Sequence, residues 1–144
     1  MNRPGKKSAA RFVPLPALGG FAMRNEKSLD PDIMSQFTGS EHWYRFGLVP
    51  NITCTDGAKY VADTAGAYWL LDEIALAQRF EKPVAAEGFQ VWKLSVKNDD
   101  SATLICEDGN DNVVFTKAIP FTDFPKEGVT LWFANDVIYL PSEH

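Results

Sequence analysis

Glu41, His42, Tyr44, Cys54 and Asp56 place a thiol, an imidazole, a phenol and two carboxylates in one short stretch of the chain. A cysteine becomes a nucleophile when a base takes its proton and an acid orients that base. Cys54 with His42 as base, and Glu41 or Asp56 as orienting group, therefore outlines a small cysteine-dependent hydrolase or transferase. Against that outline, no helix N-terminus is visible at Cys54, and a buried structural cysteine beside a surface histidine uses the same residues. Asp72 and Glu73 diverge by about 100° on a helix and read as a solvated edge rather than an acid–base pair. Asp108-Gly109-Asn110-Asp111-Asn112 has the oxygens of a calcium loop, yet 113–118 holds no closing carboxylate, so a hairpin turn is expected. Two Cys and two His could build a four-ligand zinc site only by using all four. No metal or cofactor is expected. The phosphate-cradling Gly-Lys-Ser/Thr loop, the dinucleotide fingerprint, the Gly-x-Ser-x-Gly elbow and His-Glu-x-x-His are all absent from the sequence.

Aromatic residues are the other conspicuous chemistry. Trp43, Tyr44, Phe46, Tyr60, Tyr68, Trp69, Trp92, Phe115, Phe121, Phe124, Trp132, Phe133 and Tyr139 are more rings than one small core absorbs, because Tyr68 and Trp69 are adjacent on a helix and Phe89 and Trp92 lie on opposite sheet faces. Surplus rings beside acids suit a contact surface. The expected partner-binding residues are Glu41, Trp43, Tyr44 and Arg45, together with the loop residues Phe121, Asp123 and Phe124; a second minor core under the loops is the alternative.

Charge narrows the partner. Residues 1–28 hold six Lys or Arg against one Glu, a net +5, which leaves eight cations against 18 carboxylates, a net −10, on the rest of the 144-residue chain. Such a body repels a phosphate backbone, so direct nucleic-acid binding by the folded part is not expected. Residues 1–28 read as a basic, mobile arm. Their apolar run from Phe12 to Ala22 resembles a secretory core, but Pro14, Pro16, Gly19 and Gly20 oppose the helix such a signal needs. No stretch is long and apolar enough for a membrane span. Cytoplasmic residence, with Cys54 and Cys106 as free thiols, is the expectation.

The elements that would position these groups begin at residue 29. Asp30-Pro31-Asp32 opens a helix, with Asp30 as cap and Pro31 at its first position. The first part of 40–55 reads as a helical or irregular turn, and Ile52-Thr53-Cys54 as a short strand. Asp56 is expected to cap the main helical region. Its stripe of Tyr60, Val61, Thr64, Ala67, Tyr68, Leu71, Ile74, Ala75 and Gln78 is broken by Gly66 into helices of about 57–64 and 67–80, and Pro83 blocks further extension. After Gly88 the period becomes two, predicting strands at 89–96, 102–107, 113–119, 129–133 and 137–140. Short turns leave no room for crossover helices. The predicted fold is α+β: one domain, 29–144, with N-terminal helices on one face of a four- to five-stranded antiparallel meander.

The succession Phe37-Thr38-Gly39-Ser40-Glu41-His42-Trp43-Tyr44-Arg45, Thr55-Asp56-Gly57-Ala58-Lys59-Tyr60, Gly66-Ala67-Tyr68-Trp69-Leu70-Leu71-Asp72, Phe89-Gln90-Val91-Trp92-Lys93-Leu94 and Tyr139-Leu140-Pro141-Ser142-Glu143 resembles a family of small bacterial, plasmid and phage proteins described as a domain of unknown function. That resemblance implies a bacterial or mobile-element origin and carries no activity, cofactor or catalytic residue with it. The leading expectation is a non-enzymatic domain that binds another protein, in its sharpest form an anti-defence, anti-CRISPR-like inhibitor whose acidic body imitates nucleic acid toward a host factor. The Cys54–His42 enzyme and a self-associating homodimer are the rivals.

Overall fold

The computed structural model describes residues 28–38, 42–47 and 49–144. The expected arm at 1–28 lies outside this range apart from Ser28, as do Gly39 and Glu41. Leu29, near the start of the described residues, is only 2% exposed. Asp30 then caps α1 (Pro31–Met34), accepting the Asp32 backbone N–H at 2.9 Å. The segment read as a turn is instead a strand, β1 (Trp43–Arg45), paired antiparallel with β2 (Thr53–Thr55). α2 (Asp56–Ala65) ends on Gly66 in the left-handed conformation, and α3 (Tyr68–Phe80) follows at once, as the broken stripe predicts. The cap of α2 is Thr55, not Asp56: its hydroxyl accepts the Ala58 N–H at 3.3 Å. α4 (Lys82–Ala85) carries Pro83 near its start, where the missing N–H costs nothing.

Five strands follow: β3 (Phe89–Val96), β4 (Ala102–Glu107), β5 (Val113–Ile119), β6 (Val129–Ala134) and β7 (Val137–Tyr139), with a 3₁₀ turn at Pro141–Glu143 closing the chain. All of them fall where the alternation predicts. Their order does not. The sheet has seven strands in the order β1-β2-β7-β6-β3-β4-β5, and β2 pairs with β7 in parallel. The expected four- to five-stranded meander is thus corrected in size, order and direction. The physical reason is the long β5–β6 connection, 120–128, which carries the chain past β4 and β3 so that β6 pairs on the far side of β3. Gly128 sits at that approach with φ +66°, and a Cβ there would lie 2.1 Å from the Leu94 carbonyl oxygen. Only a glycine lets β6 start beside β3.

Alternation divides the sheet into two unlike faces. Cys54, Ile138, Phe133, Gln90, Trp92, Leu131, Leu94, Leu104 and Cys106 are all buried on the face that receives Ala58, Val61 and Ala62 of α2, Leu70, Leu71, Ile74 and Ala75 of α3, and Val84 of α4. Small residues at 58, 62 and 75 let the helix backbones come close. Thr53, Tyr139, Trp132, Phe89, Val91, Lys93, Ile105 and Thr116 occupy the other face and stay part-exposed or exposed.

One polar group is fully buried among the helices. The Gln90 and Gln78 side-chain amides pair reciprocally at 2.7 and 2.9 Å, Gln90 also donates to the carbonyls of Val84 and Glu87, and the Trp92 indole N–H donates to Gln90 Oε1 at 2.9 Å. This network ties α3, α4 and β3 together, and removing its centre orphans several buried partners at once. Gln90→Ala is expected to cost about 3 kcal/mol in urea unfolding, against about 1 kcal/mol for Gln78→Ala, whose side chain is only half-buried; equal small losses would contradict the network's role.

Candidate functional site

The residues of the cysteine outline are not assembled into a reacting group. Cys54 is 0% exposed and points to the helix-covered face, where burial pushes its thiol up to about 12. A thiol held this far above neutrality stays protonated at pH 7 and is a poor nucleophile. His42 is exposed and 3.7 Å from Asp56, and no hydrogen bond joins it to Cys54 among the described residues. Glu41 lies outside the described residues. Asp56 accepts the Tyr44 phenol proton at 2.7 Å, which raises the Tyr44 pKa, while Lys59 lies over the Tyr44 ring and pairs with Asp63 at 2.7 Å. Asp63 in turn accepts the Tyr68 hydroxyl at 2.7 Å. These contacts fasten β1 to the first turns of α2.

Cys106, also buried, has its thiol pushed up to about 12 by desolvation. Four strand spacings separate β2 from β4, about 19 Å, so the two free thiols are far beyond disulfide reach. Glu73 is paired with Lys117 of β5 at 2.7 Å. Asp108 spends its carboxylate on the N–H groups of Asn110 and Asn112 and on the Asn112 amide, the bonds of a tight hairpin turn. Among the described residues no three His, Cys, Asp or Glu side chains gather closely enough to hold a metal ion.

The partner-binding candidates divide. Trp43 is 57% exposed and Arg45 is exposed, on the edge strand at one side of the sheet. Phe121, 69% exposed, and Asp123 lie in the β5–β6 connection, where the Thr122 N–H donates to the Asp100 carbonyl of the β3–β4 turn at 2.7 Å, away from the β1 edge that carries Trp43. Phe124 is in the core at 3% exposure.

Trp43 instead belongs with rings that sequence reasoning did not group. Across the open face, Trp132 pairs with Tyr139 on β7 and Val91 on β3, and Phe89 meets its indole edge-on at 5.2 Å. Tyr139 meets Trp132 edge-on at 6.1 Å, and the His144 ring sits 5.1 Å from Trp132 and stacks on Tyr139, whose hydroxyl is 3.2 Å from His144 Nδ1. Burial raises the Tyr139 pKa. Trp43, Phe89, Tyr139, His144 and the Asn135 turn border a cleft of about 440 Å³ with Glu143 at its margin. The available signal was the shared parity of Phe89, Trp132 and Tyr139; what hid it was the strand order that makes them neighbours.

His144 is delivered to this face by Glu143. That carboxylate accepts the Thr55 hydroxyl at 2.6 Å, the Leu140 N–H at 2.8 Å and the Gly57 N–H at 3.0 Å. An anion at the start of α2 also meets the positive end of the helix dipole. Gly57 has no room to spare, since a Cβ would lie 2.6 Å from Glu143 Oε1 and 2.7 Å from Leu140 Cδ1.

Fold and site together define a helix-backed, mostly antiparallel sheet whose other face is an open bed of aromatic rings. Residues 31–144 match the family of unknown function DUF6876, and the chain belongs to that family. No curated protein and no solved structure matches the chain. No helix among the described residues is long and apolar enough to cross a membrane.

Gly57→Ala should lose about 2 kcal/mol in thermal unfolding and return the ring-shifted His144 proton resonances to random-coil positions; unchanged resonances would refute the clamp. The buried thiols should resist a disulfide reagent at pH 8 until the chain is unfolded. Because the native state keeps protons that an ordinary thiol releases near 9.0, stability should fall as pH rises from 9 toward 12, and Cys54→Ala with Cys106→Ala should flatten that decline.

Proposed function

We propose that this chain is a non-enzymatic domain that binds another protein through the open face of its sheet. The observation that carries the reading is the run of rings Trp43, Phe89, Trp132, Tyr139 and His144 across a face that no described helix covers. Large rings that are already held rigid by their neighbours lose little entropy on binding, and they contribute most of the energy at protein interfaces. The net charge of −10 on residues 29–144 favours a partner with a basic surface. A host nucleic-acid-handling factor is a partner of that kind, and its inhibition by an acidic body is the anti-defence form of the reading.

The test uses the chain as bait in a bacterial lysate at about 50 mM salt, where charge attraction is least screened. A partner retained by the wild type should be lost by about tenfold with Trp43→Ala and retained by Phe121→Ala, which alters an equally exposed ring elsewhere. Raising the salt should weaken capture. Capture that ignores Trp43 and follows Phe121 would overturn the reading.

A further inference from the structure

We propose that the cleft on the open face is occupied by the chain's own segment Arg11-Phe12-Val13-Pro14-Leu15-Pro16, so that the protein carries a tethered ligand for its ring-lined surface. The proposal rests on the binding role argued above and specifies the chemistry that the face selects: a basic segment bearing prolines and apolar side chains.

Three observations support this occupant. The first is the lining. Trp43, Phe89, Tyr139 and His144 give the cleft flat apolar walls, and Asn135 gives it a polar corner. Pro-bearing segments dock in such aromatic grooves, because proline fixes φ covalently and little conformational freedom remains to be lost. Pro14 and Pro16, alternating with Val13 and Leu15, supply that pattern.

Charge is the second. Glu143 borders the cleft and Asp136 is exposed in the adjoining β6–β7 turn; among the described residues no Lys or Arg lines it, and Arg45, exposed beside Thr53, is the cation that strand register puts on the same face. The segment starts on Arg11, with Lys6 and Lys7 just before it, and residues 1–28 carry net +5 against −10 for the rest. A second groove, between α3 and β5, is bordered by Phe80, Phe115 and Glu81 and by the paired Glu73 and Lys117, but β5 is the edge strand farthest from β1 and its Trp43.

Reach is the third. Leu29, buried near the start of the described residues, borders an apolar pocket of about 350 Å³ together with Thr130 of β6. Thr130 and Trp132 share the open face, two residues or about 7 Å apart. The twelve residues from Ala17 to Ser28 span up to about 40 Å when extended. The tether is therefore long enough to lay Pro16 on the rings with slack to spare, and attachment at the edge of the same face raises the effective concentration of the segment there.

The test uses the full chain. Ala17→Cys introduces one accessible thiol for a nitroxide label, since Cys54 and Cys106 are both 0% exposed. The indole N–H resonances of Trp43 and Trp132 should then relax several-fold faster than that of Trp69, which packs on the helix side. Adding Pro14→Asp and Pro16→Asp to the labelled chain should bring all three to the same rate. Equal relaxation before those substitutions, or no change after them, would overturn the proposal, as would broadening seen only in an unlabelled chain mixed with a labelled one, which would place the segment on a second copy. Loss of the tethered contact with Trp43-dependent partner capture intact removes this inference and leaves the binding role standing; loss of that Trp43 dependence removes the binding role itself.

Discussion

The Glu143 carboxylate receives three donors, the Thr55 hydroxyl and the N–H groups of Gly57 and Leu140, and through them joins the last turn of the chain to the first turn of α2. Hydrogen bonds to a charged acceptor contribute roughly 1.5–3 kcal/mol each, and these three also hold together strands that have no short connection. β2 and β7 are parallel neighbours separated by most of the sheet in sequence. Their ladder is short, pairing Thr53 with Val137 and Cys54 with Ile138. With the clamp in place, β1 and β2 extend the sheet at β7 and Trp43 is brought to the same cleft as Tyr139 and His144. Thr55 serves both sides, capping α2 with its oxygen while its proton goes to Glu143.

The same sheet buries one face thoroughly and leaves the other open. On the inner face the apolar strand residues meet helices built partly of alanine, and the one buried amide there, Gln90, has its partners supplied by α3, α4 and Trp92. On the open face, rings that each offer about 150–250 Å² remain in part contact with water. At about 25 cal/mol per Å², covering even half of one ring is worth a few kcal/mol, an amount comparable with a hot-spot residue at an interface. The rings hold one another in edge-on and stacked arrangements, so little ordering remains to be done when something covers them.

Local features were legible in the sequence because their causes are local. Asp30 before Pro31 marked α1, Gly66 marked the break between α2 and α3, and the turn at 108–112 marked a hairpin whose strands fall where alternation put them. Non-local features were not legible. Nothing near Pro120 indicates that β6 pairs beyond β3, and nothing near Trp43 announces a strand whose partner is ten residues on. The thiol illustrates the limit: Cys54 and His42 are near in sequence, yet strand parity sends the Cys54 side chain under the helices while His42 stays exposed. Phe124 looked like its exposed neighbour Phe121 but closes the core, held by a loop whose Thr122 hydroxyl accepts the Phe124 N–H. Phe89, Trp132 and Tyr139 each showed the right parity, and only the strand order made them one surface.

The central claim is that the ring-bearing sheet face is where this protein meets its partner. Hydroxyl-radical footprinting of the chain, alone and in the captured complex, tests it ring by ring. The account predicts that Trp43, Trp132 and Tyr139 lose modification in the complex while Phe80 and Phe121, the most exposed rings elsewhere, keep theirs. Protection of Phe80 or Phe121 with the sheet-face rings unchanged would contradict it.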